Sequence, residues 1–260
     1  MGIVMGGFLL AFLNAICSAV TYGFFLGYMG LDSHVLSSIT ELMKLPHVLV
    51  LPFGILTDCC PIQGTHRKSY FVASWCLAGS ALFALALRPL PAPFYCQNED
   101  GSYNFMVPPC NPSIHTEKNW YVFWMFFLTA GIQLGIVAGE GLLLEYSQRE
   151  PVECRGHIKA EMTMVSIGGA LAASLVVGIF MNSKPYLGTF DWGFSFSGLM
   201  AFCFVLDDAQ RQKKASGSSL VRATFVIGIP AICLIYGIIV LLLTSQEETA
   251  CLKWIGGHGC

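Results

Sequence analysis

The sequence predicts an all-α integral membrane protein with six to seven transmembrane helices. Three observations predict it. Hydrophobic residues make up 55% of the 260-residue chain and charged residues only 12%, about half the charged share of a soluble domain. The charges are clustered, so apolar runs long enough to span a bilayer alternate with short polar connectors. Basic residues gather in alternate connectors, the pattern of cytoplasmic loops.

The same composition excludes several functions. A net charge of −2 argues against nucleic acid as a partner. Eleven cysteines are scattered mostly through apolar runs, with no CxxC pair and no His/Cys ligand spacing, so no metal is expected. No nucleophile motif or phosphate loop is present, so neither an enzyme nor a cofactor is expected. The histidines are dispersed, and His47 beside Pro46 reads as a packed polar group.

The first span covers residues 3–28. No Lys or Arg precedes Lys44, so a signal peptide's basic n-region is missing. Asn14, Ser18 and Thr21 recur at helical spacing. Two readings stand: an inward polar face, or hydroxyls bonded to their own helix. The second span, 36–57, holds Glu41 and Lys44 three residues apart, a spacing that lets them pair. Lys44 lies near mid-span, where an ionisable group is a functional candidate; the alternative is a purely structural pair. Pro46 should kink this helix or free a carbonyl.

Gly54 to Tyr70 contains a polar hinge. Pro61 and Gly64 break helix there, and His66, Arg67 and Lys68 mark the cytoplasmic side. That choice sets the direction of every other span. The third span is 69–87. Pro91 to Lys118 is then a hydrophilic outer loop carrying Cys96 and Cys110. A disulfide between them would close a loop of about 15 residues and stabilise by about 3 kcal/mol; the alternative is two free thiols. Asn111 precedes Pro112, which blocks glycosylation.

The fourth span, 120–144, opens on an aromatic belt of Trp120, Tyr121 and Trp124. Gly131, Gly135 and Gly139 form a GxxxGxxxG face for close helix packing. Gln133 and Glu140 share another face, with Glu140 about 10 Å inward of the span midpoint at the rise of an α-helix. Glu140 reads either as a cavity-lining group or as an interfacial acid. Arg149, Arg155 and Lys159 mark a second inner loop. The fifth span is 160–181, and a short outer turn follows.

The last third allows two counts. Residues 192–206 are apolar but short for a span. Residues 207–219 form a polar basic linker, 220–244 a full-length final span and 245–260 a tail. Seven crossings put Arg211, Lys213, Lys214 and Arg222 inside with the other basic loops, which favours that count; an interfacial 192–206 gives six.

At the hinge the chain resembles the major facilitator superfamily, through Gly54, Asp58, Gly64, Arg67 and Lys68. The longer segment Asp58-Cys-Cys-Pro61-Ile62-x-Gly64 resembles the folate–biopterin transporter family within it. TYGFFLGYMG, LMKLPHVLVLPFGILTD, EYSQREPVECRGH and GTFDWGFSF are similar to that family too, so the likeness runs from about residue 20 to 198.

The resemblance implies a transporter of folates, pterins or related small organic anions, with proton coupling as one option. Residues 1–206 correspond to the N-terminal half of such a transporter. Members carry acidic residues along the fourth span; Glu140 matches one such place, but Ile136 one turn earlier does not. Members also have about twelve spans in two halves with the site between them, so a half-length chain implies a homodimer or a second half. Where the family's sixth span is continuous, residues 207–222 here read as an insertion splitting one helix into 192–201 and 225–244.

Candidate substrate contacts are therefore Asn14, Ser18, Thr21, Glu41, Lys44, Gln133 and Glu140. Lys44 would attract a carboxylate, and Glu140 would take a proton or bond a ring N–H. Asp58, Arg67 and Lys68 would stabilise one gate conformation. The competing expectation is a non-transporting membrane protein that packs on a partner through the glycine face. A multi-pass membrane protein is expected in either case, with the plasma membrane favoured.

Overall fold

The computed structural model describes residues 2–62, 67–98 and 101–212. Gly64 of the hinge motif, the predicted final span 220–244 and the tail lie outside these residues.

Among the described residues, five helices are long and apolar enough to cross a membrane: Val4–Tyr28, Ser33–Cys59, Arg67–Leu87, Ile114–Ser147 and His157–Phe180. Each predicted span from the first to the fifth overlaps one of them. Helix α1 (Gly2–Tyr22) continues into a π-helical turn, Gly23–Tyr28. That wider turn brings Phe24 and Phe25, adjacent in sequence, both to full burial.

The second span is broken. Helix α2 (Ser33–Val48) carries Pro46, and the chain leaves α-helical geometry at Leu49 before α3 (Val50–Cys59) resumes. Proline has no N–H to offer the preceding turn. The break instead closes on a tight bond from Leu49 N–H to the Pro46 carbonyl, 3.1 Å. Among the spans, this one is the most open, with 17% of its apolar window buried.

Helix α4 (Arg67–Leu87) is followed by a two-residue antiparallel hairpin, β1 (Cys96–Gln97) and β2 (Tyr103–Asn104). Helix α5 (Ile114–Ser147) is the longest. At 1.5 Å per residue it measures about 51 Å, against about 30 Å of bilayer hydrocarbon, so it projects at one end or both. It starts six residues before the predicted fourth span, because Ile114 is buried in the core and anchors the first turn. Helix α6 (His157–Phe180) and α7 (Phe196–Gln212) complete the described bundle.

Helix α5 is the hub. It packs against α1, α2, α3, α4 and α6, while α6 lies along α1 and α7 along α4. The glycines explain the closest approaches. A Cβ on Gly131 would sit 2.9 Å from the Ala78 backbone nitrogen, and one on Gly135 would sit 2.7 Å from Ser74 Oγ. Gly139 faces Phe71 at 3.4 Å. The predicted glycine face is thus used, but by α4 of the same chain. A partner docking there would have to displace α4.

The expected end of the sixth helix also shifts. Helix α7 does not stop at Leu206 but runs on to Gln212, with Asp207 buried, so the linker predicted to begin at residue 207 starts as helix.

The end that carries the 91–118 loop, expected from the basic connectors to be the outer one, is closed by a cap. Tyr28 donates to the Pro91 carbonyl at 2.7 Å, Phe94 N–H to the Tyr28 carbonyl at 3.2 Å, and Tyr103 to the Pro185 carbonyl at 2.6 Å. His115 stacks on Phe94, and its Nε2 lies 3.1 Å from the Met29 carbonyl. Gly30 turns the chain at φ 59°, and the Phe94 ring fills the space a side chain would need. Cys96 and Cys110 are joined by a disulfide with 5.1 Å between their Cα atoms. Burial pushes the Tyr103 and Tyr186 hydroxyls well above their ordinary pKa.

Candidate functional site: an inner charge clamp and an exposed polar span

Arg67, the first residue of α4, organises the opposite end of the bundle, the one the basic connectors lead to expect inside and hereafter the inner end. Its Nε donates to Asp58 Oδ1 at 2.8 Å, at the end of α3. Its Nη1 donates to the Gly141 carbonyl at 2.7 Å and to Glu145 Oε1 at 3.0 Å, both on α5. One planar guanidinium thus ties three helices together. Its acceptor Gly141 lies within the last two turns of α5, the end at which the helix dipole favours a cation. The Arg67 side chain is 22% exposed, and Asp58 and Glu145 are about half exposed. Lysine could not reproduce this fork.

Gly141 is part of the device. A Cβ there would meet Arg67 Cδ and Nε at 2.8 Å, so its missing side chain is the slot for the guanidinium. Glu145 lies in the segment EYSQREPVECRGH but was not among the predicted site residues, and Gly141 carried no signal in the sequence. Lys68 is exposed and Gly54 faces open space; neither enters the clamp's hydrogen bonds.

Two further links brace the inner end. Lys159 on α6 pairs with Glu140 on α5. Glu150 accepts from Gly156 N–H at 2.6 Å and Ile158 N–H at 2.7 Å, capping the start of α6. These two bonds to the charged form hold its carboxyl below the ordinary carboxylate range.

The predicted substrate contacts are not gathered in one place. Ser18 is exposed and donates to the Asn14 carbonyl; Thr21 is buried and donates to the Cys17 carbonyl. Both hydroxyls bond back one turn, so the expectation of one inward polar face does not describe them. Asn14 is half-buried. Gln133 is buried, whereas Glu140, seven residues further along the same helix, is exposed although Ala138, Leu142 and Leu143 around it are buried. Lys44 donates to Glu41 at 2.8 Å, and the two side chains are 61% and 71% exposed.

Two open, mostly apolar grooves among the described residues are lined by none of these side chains. One of about 190 Å³ lies between α1 and α6, and one of about 210 Å³ between α2 and α5. Each is smaller than the roughly 300–1,000 Å³ that encloses a drug-sized ligand.

The sequence segments that suggested a family meet in space. DCCPIQGTHRKSY and EYSQREPVECRGH join through Asp58, Arg67 and Glu145. TYGFFLGYMG and GTFDWGFSF join where Phe24 stacks on Phe196, ring centres 4.0 Å apart.

A bundle with five membrane-length helices and an ion-paired inner end is a multi-span membrane protein. The model of the BT1 family, the folate–biopterin transporters, matches residues 12–92, so that stretch is similar to the family. The matched stretch carries Asp58 and Arg67 of the clamp, while Glu145 lies beyond it. No curated protein and no solved structure matches the chain. Family match and apolar helices together support transport across a membrane as the general role.

Proposed function

We propose that this chain is one half of an alternating-access transporter for folate- or pterin-like organic anions. The observation that carries it is the Glu41–Lys44 pair, mostly exposed on α2 within a membrane-length helix. A charged pair facing hydrocarbon is costly, so such a pair belongs beside water or a polar partner.

In this reading Lys44 attracts the solute's carboxylate, and Asn14 and Ser18 on α1 offer separate polar contacts. Gln133 and Thr21 are buried supports. Glu140 takes a proton only when Lys159 releases it. The Asp58–Arg67–Glu145 clamp holds the inner end shut, and its opening admits solute to the cytoplasm. A second copy or a separate half closes the site. The disulfide-bearing outer loop fits the plasma membrane.

Uptake of labelled folate and a pteridine panel into proteoliposomes of the full chain tests the proposal. Lys44→Ala should reduce uptake at least 10-fold, with Glu41→Gln less severe. Uptake unchanged in Lys44→Ala would remove Lys44 from the mechanism. No uptake by wild type, together with a strictly monomeric state in detergent, would favour the non-transporting reading.

A further inference from the structure

The thiols of Cys59 and Cys60 have no part in the clamp or in the proposed transport site. Cys59 is the last residue of α3, and Cys60 is its extended cap, with φ −114° and ψ 92°. Both are free and exposed. They sit at the inner mouth of a membrane-length helix, next to the Asp58–Arg67 ion pair and before the basic residues Arg67 and Lys68.

The surroundings suit a lipid chain. Before Asp58, which is half exposed and paired with Arg67, the exposed side chains of α3 are apolar: Val50, Leu51, Ile55 and Leu56. Cys59 follows Ile55 by four residues and Leu51 by eight, so all three share one helical face. The charged Glu41–Lys44 pair lies on α2, beyond the break at Leu49. Tyr70 donates to the Cys60 carbonyl at 2.8 Å, which pins this turn's backbone while both thiols stay accessible.

We infer that Cys59 and Cys60 form an S-acylation site for long-chain fatty acids, placed where the chain can enter the inner leaflet beside α3. Juxtamembrane cysteines are the usual acceptors of this modification. The thiolate sulfur attacks the carbonyl carbon of a long-chain acyl-coenzyme A thioester. The new Cys S–C bond forms, the bond to the coenzyme A sulfur breaks, and coenzyme A leaves as a thiolate that takes up the proton lost by cysteine. No electrons change hands with an outside oxidant. The inference needs the hinge on the cytoplasmic side but does not depend on transport or on any solute.

Acyl–polyethylene glycol exchange on the full chain expressed in mammalian cells tests it. Free thiols are reduced and blocked, hydroxylamine cleaves thioesters, and each freed thiol takes a mass tag. The wild type should show a hydroxylamine-dependent shift of one or two tags. C59S/C60S should lose at least 90% of it, and C76S, altered at an exposed cysteine on α4, should keep it. No shift in the wild type would overturn the inference, as would a shift unchanged in C59S/C60S. If that variant fails to accumulate, mass spectrometry of the wild-type peptide spanning Cys59 and Cys60 decides: an acyl mass there sustains the site, and only unmodified peptide refutes it.

Discussion

Replacing Arg67 by alanine removes three bonds at once, and their geometry sets the cost. The pairs to Asp58 and Glu145 involve carboxylates that are 54% and 50% exposed, so solvent screens them; each contributes about 0.5–1 kcal/mol. The bond to the Gly141 carbonyl, 2.7 Å and partly buried, joins a charged donor to a backbone acceptor and contributes about 1.5 kcal/mol. The sum is about 3 kcal/mol, or roughly 100-fold in the equilibrium that keeps the inner end closed. In thermal unfolding of the detergent-solubilised chain this predicts a Tm about 6–12 °C lower.

Arg67→Lys keeps the charge but loses the fork, so about 2 kcal/mol of the loss should persist. Double-mutant cycles of Arg67→Ala with Asp58→Asn and with Glu145→Gln should each give a coupling near 1 kcal/mol. Alkylation of Cys59 and Cys60 should quicken in Arg67→Ala as the end of α3 loosens. A Tm within about 1 °C of wild type, or a cycle with no coupling, would refute the clamp.

Further outcomes follow from single positions. Gly169→Ala should destabilise by about 1–3 kcal/mol in the same assay, because its Cβ would collide with the Phe8 carbonyl of α1. Gly178→Ala, with nothing within 4 Å, should be neutral or gain about 0.5–1 kcal/mol. Cys96→Ser with Cys110→Ser should lose about 3 kcal/mol of loop closure, read as faster proteolysis between residues 92 and 113 with the helices intact. The Glu150 carboxyl is held below its ordinary value of 4.5. Its stabilisation is therefore fully present above that value and lost as pH falls through its lower folded value. Acid should free the start of α6 in wild type, seen as faster amide exchange at Gly156 and Ile158, while Glu150→Gln should show that exchange already at neutral pH.

Reading the hinge as polar and basic was possible because Asp58, Arg67 and Lys68 interrupt apolar runs. Their roles were less legible. Arg67 carries the clamp and Lys68 takes no part in it, although the two are neighbours in sequence, because one helical step turns a side chain by about 100°. The Glu41–Lys44 pairing was legible, since a three-residue spacing decides it locally. The burial of Gln133 and the exposure of Glu140 were not, because they depend on where neighbouring helices lie along α5.

Sequence by itself marked out the apolar stretches that form the five membrane-length helices among the described residues, and which connectors carry positive charge. Hydropathy and charge act residue by residue, so a linear text records them. Tertiary structure alone decided that α4 fills the glycine face of α5, that Gly141 makes the slot for Arg67, and that Glu145 completes the clamp 78 residues away. Those outcomes depend on which helices become neighbours, and that is settled by packing summed over the whole bundle.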